Sequence, residues 1–313
     1  MTTPTSSASP PRASETSLDR CASCRAPLAG VYCAACGERR LRPDEFSLRR
    51  FAGDALNEIT GGSTSRLWRS IRALALQPGR LTREFMEGRR KPWLRPLQVF
   101  LLANLAYFFI QPLTSYNTYN TPLYSQLNRQ VYSEMVDLAS VVGAQVETLD
   151  MTVDTYRALY DRQSETLARS LVILLVPLSA MVLALLLLWR RRPFVQHLVF
   201  ALHFQAWNLV FVMSLFLLVY KPFLTLVIAG FESAGVDFRA ALDTTGIGNL
   251  IWHLITEFQT IPLWLGYLYL GLRRAYDLGR AAAGLVAVAL AIALLQITIV
   301  YRLLLFWATV WSL

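Results

Sequence analysis

The stretch LVILLVPLSAMVLALLLLW, residues 171–189, runs directly into Arg190-Arg191-Arg192. A helix needs about 20 apolar residues at about 1.5 Å each to cross a hydrocarbon core of about 30 Å. This stretch meets that need, and the arginines behind it mark a cytosolic flank. Four further apolar runs cover residues 97–113, 198–220, 247–272 and 281–303. Hydrophobic residues make up 54% of the 313, and their grouping into long runs is the membrane signature. The expected fold class is an all-α polytopic membrane protein of about five transmembrane helices, carrying a small N-terminal metal-binding module.

Charge in the loops gives the orientation. The chain carries a net +9, with Arg outnumbering Lys 28 to 2. Residues 38–95 hold 14 basic against 7 acidic side chains, and residues 114–170 hold 4 against 7. The segment 190–192 is basic again, residues 221–246 have 2 basic against 3 acidic, and residues 273–280 have 3 against 1. The bias changes sign at each crossing, which places the N-terminus in the cytosol and the C-terminus outside. Because the basic residues sit on these loops, the charge points to a lipid bilayer rather than to nucleic acid.

All four cysteines precede the first span, as Cys21-x-x-Cys24 and Cys33-x-x-Cys36. Two such pairs let four sulfurs meet one ion, and tetrahedral thiolate coordination suits Zn2+. Residues 20–40 are therefore expected to form a zinc ribbon. Iron in the same cage and two disulfides are the alternatives, the disulfides disfavoured in a reducing cytosol. Four cysteine ligands leave no open coordination position, so the ribbon reads as a structural staple or as a docking module for a cytosolic protein partner. Residues 1–19, rich in Ser, Thr and Pro, lack the apolar core of a secretion signal and read as a disordered leader.

Residues 41–96 read as amphipathic helices at the membrane surface. Asp44 can cap one carrying Phe46, Phe51, Leu56 and Ile59. Gly61-Gly62 breaks it, Ser63 or Thr64 caps the next, and Pro78-Gly79 ends that one. Arg66, Arg69 and Arg72 beside Trp68 suggest a helix on the inner leaflet, with a soluble helical subdomain as the alternative. Residues 114–170 are too long for a bare connector and are expected to form a cap of two helices. The apolar piece 222–231 is too short to span.

Polar residues within the spans are candidate functional groups. His197, His203, His253 and Glu257 are among them, with Arg302 as a counter-charge for Glu257. Asn249, His253 and Glu257 follow at i, i+4 and i+8, one helix face. By rise counting, His203 and His253 lie roughly 17 Å apart in depth, too far for one metal site. A small transporter or channel using His253 and Glu257 as a proton or cation relay is the alternative function; otherwise these residues hydrogen-bond between helices. HExxH, GxSxG and P-loop signatures are absent, so the sequence offers no reaction and no catalytic residue.

The paired CxxC with Gly37 behind it, Pro78-Gly79, Phe85-x-x-Gly88-x-Arg90 and Pro96 before an apolar span make a recognisable order. Residues 197–203, HLVFALH, and Tyr267-x-Tyr269 near Arg273-Arg274-x-Tyr276 extend it. With these features the chain resembles a bacterial family known as domain-of-unknown-function family 3667. The resemblance implies a bacterial inner-membrane protein and supplies no activity.

Overall fold

The computed structural model describes residues 20–40, 46–48, 51, 64–114, 119–128, 130, 132–133, 136–212, 218–219, 221–233 and 260–313. Among these, regular structure is helical apart from two isolated bridges, Arg20 with Pro27 and Tyr32 with Arg39. Three helices are long and apolar enough to cross a membrane: Val153–Leu186, Phe194–Val212 and Arg280–Ser312. Pro96–Ile110 is a shorter apolar helix.

The chain enters through α1 (Thr64–Leu76) and α2 (Arg80–Met86), then α3 (Pro96–Thr114). α1 begins at Thr64, one of the two residues expected at its start, and ends before Pro78-Gly79. Its inward face carries Ser70, Ala73 and Leu74, while Trp68 and Leu76 are exposed. Both short helices are packed into the bundle: Leu74 and Leu81 belong to the same buried cluster as Phe100, Phe204 and Leu272. The helix expected around residues 46–59 falls largely outside the described residues.

At the opposite end, α4 (Leu123–Asn128), α5 (Leu138–Thr148) and the start of α6 (Val153–Leu171) form the cap. The second span was expected to begin at residue 171. Instead α6 continues through a 3₁₀ turn at Val172–Leu174 into α7 (Leu175–Leu186), giving one helix of 34 residues. Its polar first half stays helical because Tyr156, Tyr160, Ser164 and Ala168 recur every fourth residue and are buried. Pro177 sits in the first turn of α7, where the 3₁₀ turn before it accommodates the missing N–H.

α8 (Phe194–Trp207), extended by a π-helical segment at Asn208–Val212, is the centre of the molecule. Every residue from Val195 to Trp207 except Leu198 is buried. Around it stand α3, α7 and α10 (Thr260–Tyr276), with α9 (Lys221–Ser233) further along the chain. Residues 247–259 of the expected fourth span lie outside the described residues. The fifth apolar run, expected over 281–303, is one unbroken helix, α11 (Arg280–Ser312). It has no proline, and at 33 residues it rises about 50 Å. That exceeds a hydrocarbon core by about 20 Å, and the excess packs Phe306 and Val310 into the cap with Tyr156 and Tyr160.

The outer faces are apolar. Leu105, Phe109, Leu185, Leu188, Leu270, Leu285 and Ile292 are all exposed. A water-facing surface rarely presents so many large apolar side chains on its helices, whereas lipid-facing helices require them.

Candidate metal centre

Residues 20–40 form two turns of the same design. In the first, Arg25 N–H donates to the Cys21 carbonyl at 2.9 Å, and Cys21 N–H donates to Ala26 O at 2.8 Å. In the second, Gly37 N–H donates to Cys33 O at 2.7 Å, and Cys33 N–H donates to Glu38 O at 2.9 Å. Each turn needs a left-handed residue four positions after its first cysteine. Arg25 (φ 62°) and Gly37 (φ 69°) fill those places, the glycine without the Cβ strain that the arginine carries.

The turns bring four free thiols together. Cys21 Sγ lies 3.5 Å from Cys36 Sγ, Cys24 Sγ lies 3.5 Å from Cys33 Sγ, and all four sulfurs fall within 4.8 Å of one another. A tetrahedron with metal–sulfur bonds of about 2.3 Å has edges of about 3.8 Å, so the cage is sized for one ion. A disulfide requires sulfurs about 2.05 Å apart, and these pairs are well beyond that. The backbone N–H of Cys36 bonds the sulfur of Cys33 and, with that of Ala35 and against burial, brings its thiol down to about 7. At Cys36 the N–H of Glu38 lowers the thiol, but burial and the neighbouring sulfurs outweigh it and push it up to about 12. Full ionisation of the set therefore calls for a cation among the sulfurs.

The module's own core is only Cys21, Leu28 and Cys33, with Ala26 and Cys36 against it. So little apolar surface cannot hold twenty residues in a fixed shape without a cross-link or a metal.

Glu38, one of the seven acidic residues between positions 38 and 95, is 6% exposed. Its Oε2 accepts from Ser23 Oγ at 2.6 Å, from Arg90 N–H at 3.1 Å and from Lys91 N–H at 2.9 Å. Lys91 Nζ donates to the Cys36 carbonyl. The available signal was an acidic residue directly behind CxxCG, but its partner lies more than fifty residues away and has no local pattern.

Of the polar candidates in the apolar runs, His197, His203 and Arg302 are described, and each has its own partner away from the cysteines. His203 Nδ1 lies 2.9 Å from Thr82 Oγ1 of α2. His197 Nδ1 lies 3.0 Å from Tyr276 Oη, the two rings stacked at 5.4 Å. Other buried polar groups of α8 are similarly engaged. Gln196 donates to Ala275 O at 2.9 Å, and Gln205 donates to Ser179 Oγ at 3.0 Å. Asn208 accepts from Trp264 Nε1 at 2.8 Å and donates to Tyr119 Oη at 3.1 Å. Arg302 Nη1 donates to Gln130 Oε1 at 3.2 Å in the cap. His253 and Glu257 lie outside the described residues. Such bonds tie helices together in a medium that offers no water to buried polar groups.

Residues 65–108 match the family model described as protein of unknown function (DUF3667). The matched segment covers α1, α2 and most of α3. No curated protein and no solved structure matches the chain.

Proposed function

We propose that the chain is a bacterial inner-membrane protein of five spans whose cytosolic zinc ribbon serves as a structural and partner-docking module. The observation that carries this reading is the cage of four sulfurs, closed on all sides by cysteine. A zinc ion held there would organise residues 20–40 and would have no free position for substrate, which favours architecture over catalysis. Cys21, Cys24, Cys33 and Cys36 are the ligands in this reading. Loop charge supports the N-terminus-inside orientation, and α3 and α10 supply the two spans beyond the three long helices.

Docking is supported by the exposed part of the module. Val31 and Tyr32, between the two cysteine pairs, are exposed at 45% and 64%, and Tyr is a frequent anchor at protein interfaces. The partner is a cytosolic protein that takes these two side chains. The test is affinity recovery of the membrane-inserted protein beside its Tyr32→Ala and four-Cys→Ser forms. A partner lost in both variants, with insertion unchanged, is the expected result. Equal recovery from all three would remove the docking role. Reporter fusions at Ser140, Arg191, Gly235 and the C-terminus test the five-span topology.

A further inference from the structure

The cysteine module is fastened to the membrane domain through the Glu38 carboxylate and the Lys91 side chain. Glu38 Oε2 takes three donors: Ser23 Oγ from the first cysteine turn, and the backbone N–H groups of Arg90 and Lys91 from the segment between α2 and α3. On the module's side, Glu38 is held by its carbonyl, which accepts from Cys33 N–H. Lys91 closes the contact from the other direction by donating to Cys36 O.

The far side of this contact is built into the bundle. Arg90 lays its guanidinium 4.1 Å from the Phe85 ring centroid and donates Nε–H to Phe85 O at 3.2 Å. Leu94 N–H donates to the buried Ser70 Oγ at 2.9 Å, and Arg80 sits 5.1 Å over the Trp93 ring. Val99 N–H then takes Arg95 O in the first turn of α3. A continuous set of contacts thus runs from the sulfur cage to the start of the first apolar helix.

We propose that Glu38 is a latch through which metal occupancy of the four-cysteine centre sets the order of residues 89–94 at the entrance to α3. The proposal rests on the reading of that centre as a metal site. Two isolated bridges and a three-residue core do not hold the module when the metal leaves. Glu38 then loses its seat, and the N–H groups of Arg90 and Lys91 lose their acceptor. Both bonds are only partly buried, so water can replace the lost acceptor and the segment is released from the restraint that ordered it. Because coupling is reciprocal, loosening the segment must also weaken metal binding by the same factor.

The test is amide hydrogen exchange of residues 88–94 in detergent-purified full-length protein, with metal content measured on the same samples. Chelation of wild type is expected to speed exchange there by between about 5- and 150-fold, reversed by adding zinc. Glu38→Ala, still carrying its four cysteines, is expected to exchange fast with zinc bound and to lose zinc to a competing chelator about 10 to 100 times more readily. Glu38→Gln keeps an acceptor oxygen and the shape of the side chain, and is expected to fall between the two. Unchanged exchange on chelation, or wild-type exchange in zinc-loaded Glu38→Ala and Glu38→Gln, would overturn the latch while leaving the metal centre intact. Absence of stoichiometric metal in wild type, with no uptake of added zinc, would overturn the metal centre itself.

Discussion

Gly79 offers the sharpest test of how the helices before α3 sit on the bundle. It precedes α2 with φ +77°, and a Cβ built there would meet the Gly271 carbonyl oxygen of α10 at 2.4 Å and its Cα at 2.9 Å. Both atoms are helix backbone, so neither can swing aside. Arg274 Nη1 fixes the same junction by donating to Pro78 O at 2.8 Å. Gly79→Ala therefore incurs a left-handed backbone cost of about 1–2 kcal/mol and an overpacking cost of about 1–3 kcal/mol. The sum is about 2–5 kcal/mol, or a fall of about 4–20 °C in apparent Tm at about 2–4 °C per kcal/mol. Gly271→Ala is the internal comparison. Its Cβ meets the Phe200 ring at 3.1 and 3.2 Å and Gly79 N at an ordinary contact distance of 3.6 Å, and a ring edge can shift, so its cost should be about 1 kcal/mol or less. Gly284→Ala, with nothing within 4 Å, should be neutral or slightly stabilising. The assay is thermal loss of the monodisperse size-exclusion peak in one detergent. Equal behaviour of Gly79→Ala and Gly284→Ala would refute the close approach of the α1–α2 connection to α10.

Three further outcomes follow from named contacts. Thr82→Val should cost about 1–3 kcal/mol by leaving His203 without its hydroxyl partner, and His203→Leu in the same chain should recover part of that loss; a double-mutant cycle on apparent Tm measures it, and strict additivity would contradict the pairing. Arg25→Gly relieves a left-handed arginine, so zinc retention against a chelator should equal or exceed wild type. At Glu87, burial raises the carboxyl, but the hydrogen bond from Arg83 and the charges of Arg89 and Arg83 hold it below the ordinary 4.5. Its stabilisation is therefore complete at neutral pH and lost as pH falls through the folded value below 4.5. Glu87→Gln should flatten this part of the pH–Tm profile, by no more than about 1 kcal/mol for so exposed a pair.

Much of the architecture was legible because lipid and metal impose strong local rules. Apolar runs announced the three long spanning helices, and the CxxC pairs announced the sulfur cage. Pro78-Gly79 correctly separated α1 from α2. The continuity of α6 into α7 was harder to see, since hydropathy stops at the membrane surface while helical geometry does not. Tyr156, Tyr160 and Ser164 carry the signal, a four-residue period within a polar run. The docking of α1 and α2 on the bundle, and the Glu38 contact with Arg90 and Lys91, depend on chain segments distant in sequence. A buried carboxylate and a surface carboxylate look alike until the fold brings backbone donors to one of them.

Cys21, Cys24, Cys33 and Cys36 are proposed to hold one structural zinc ion. The most direct test is elemental analysis of detergent-purified wild type beside the four-Cys→Ser form, each normalised to protein. One zinc per chain in wild type and none in the variant is the expected result. No stoichiometric metal in wild type, or the same metal retained by the variant, would contradict it.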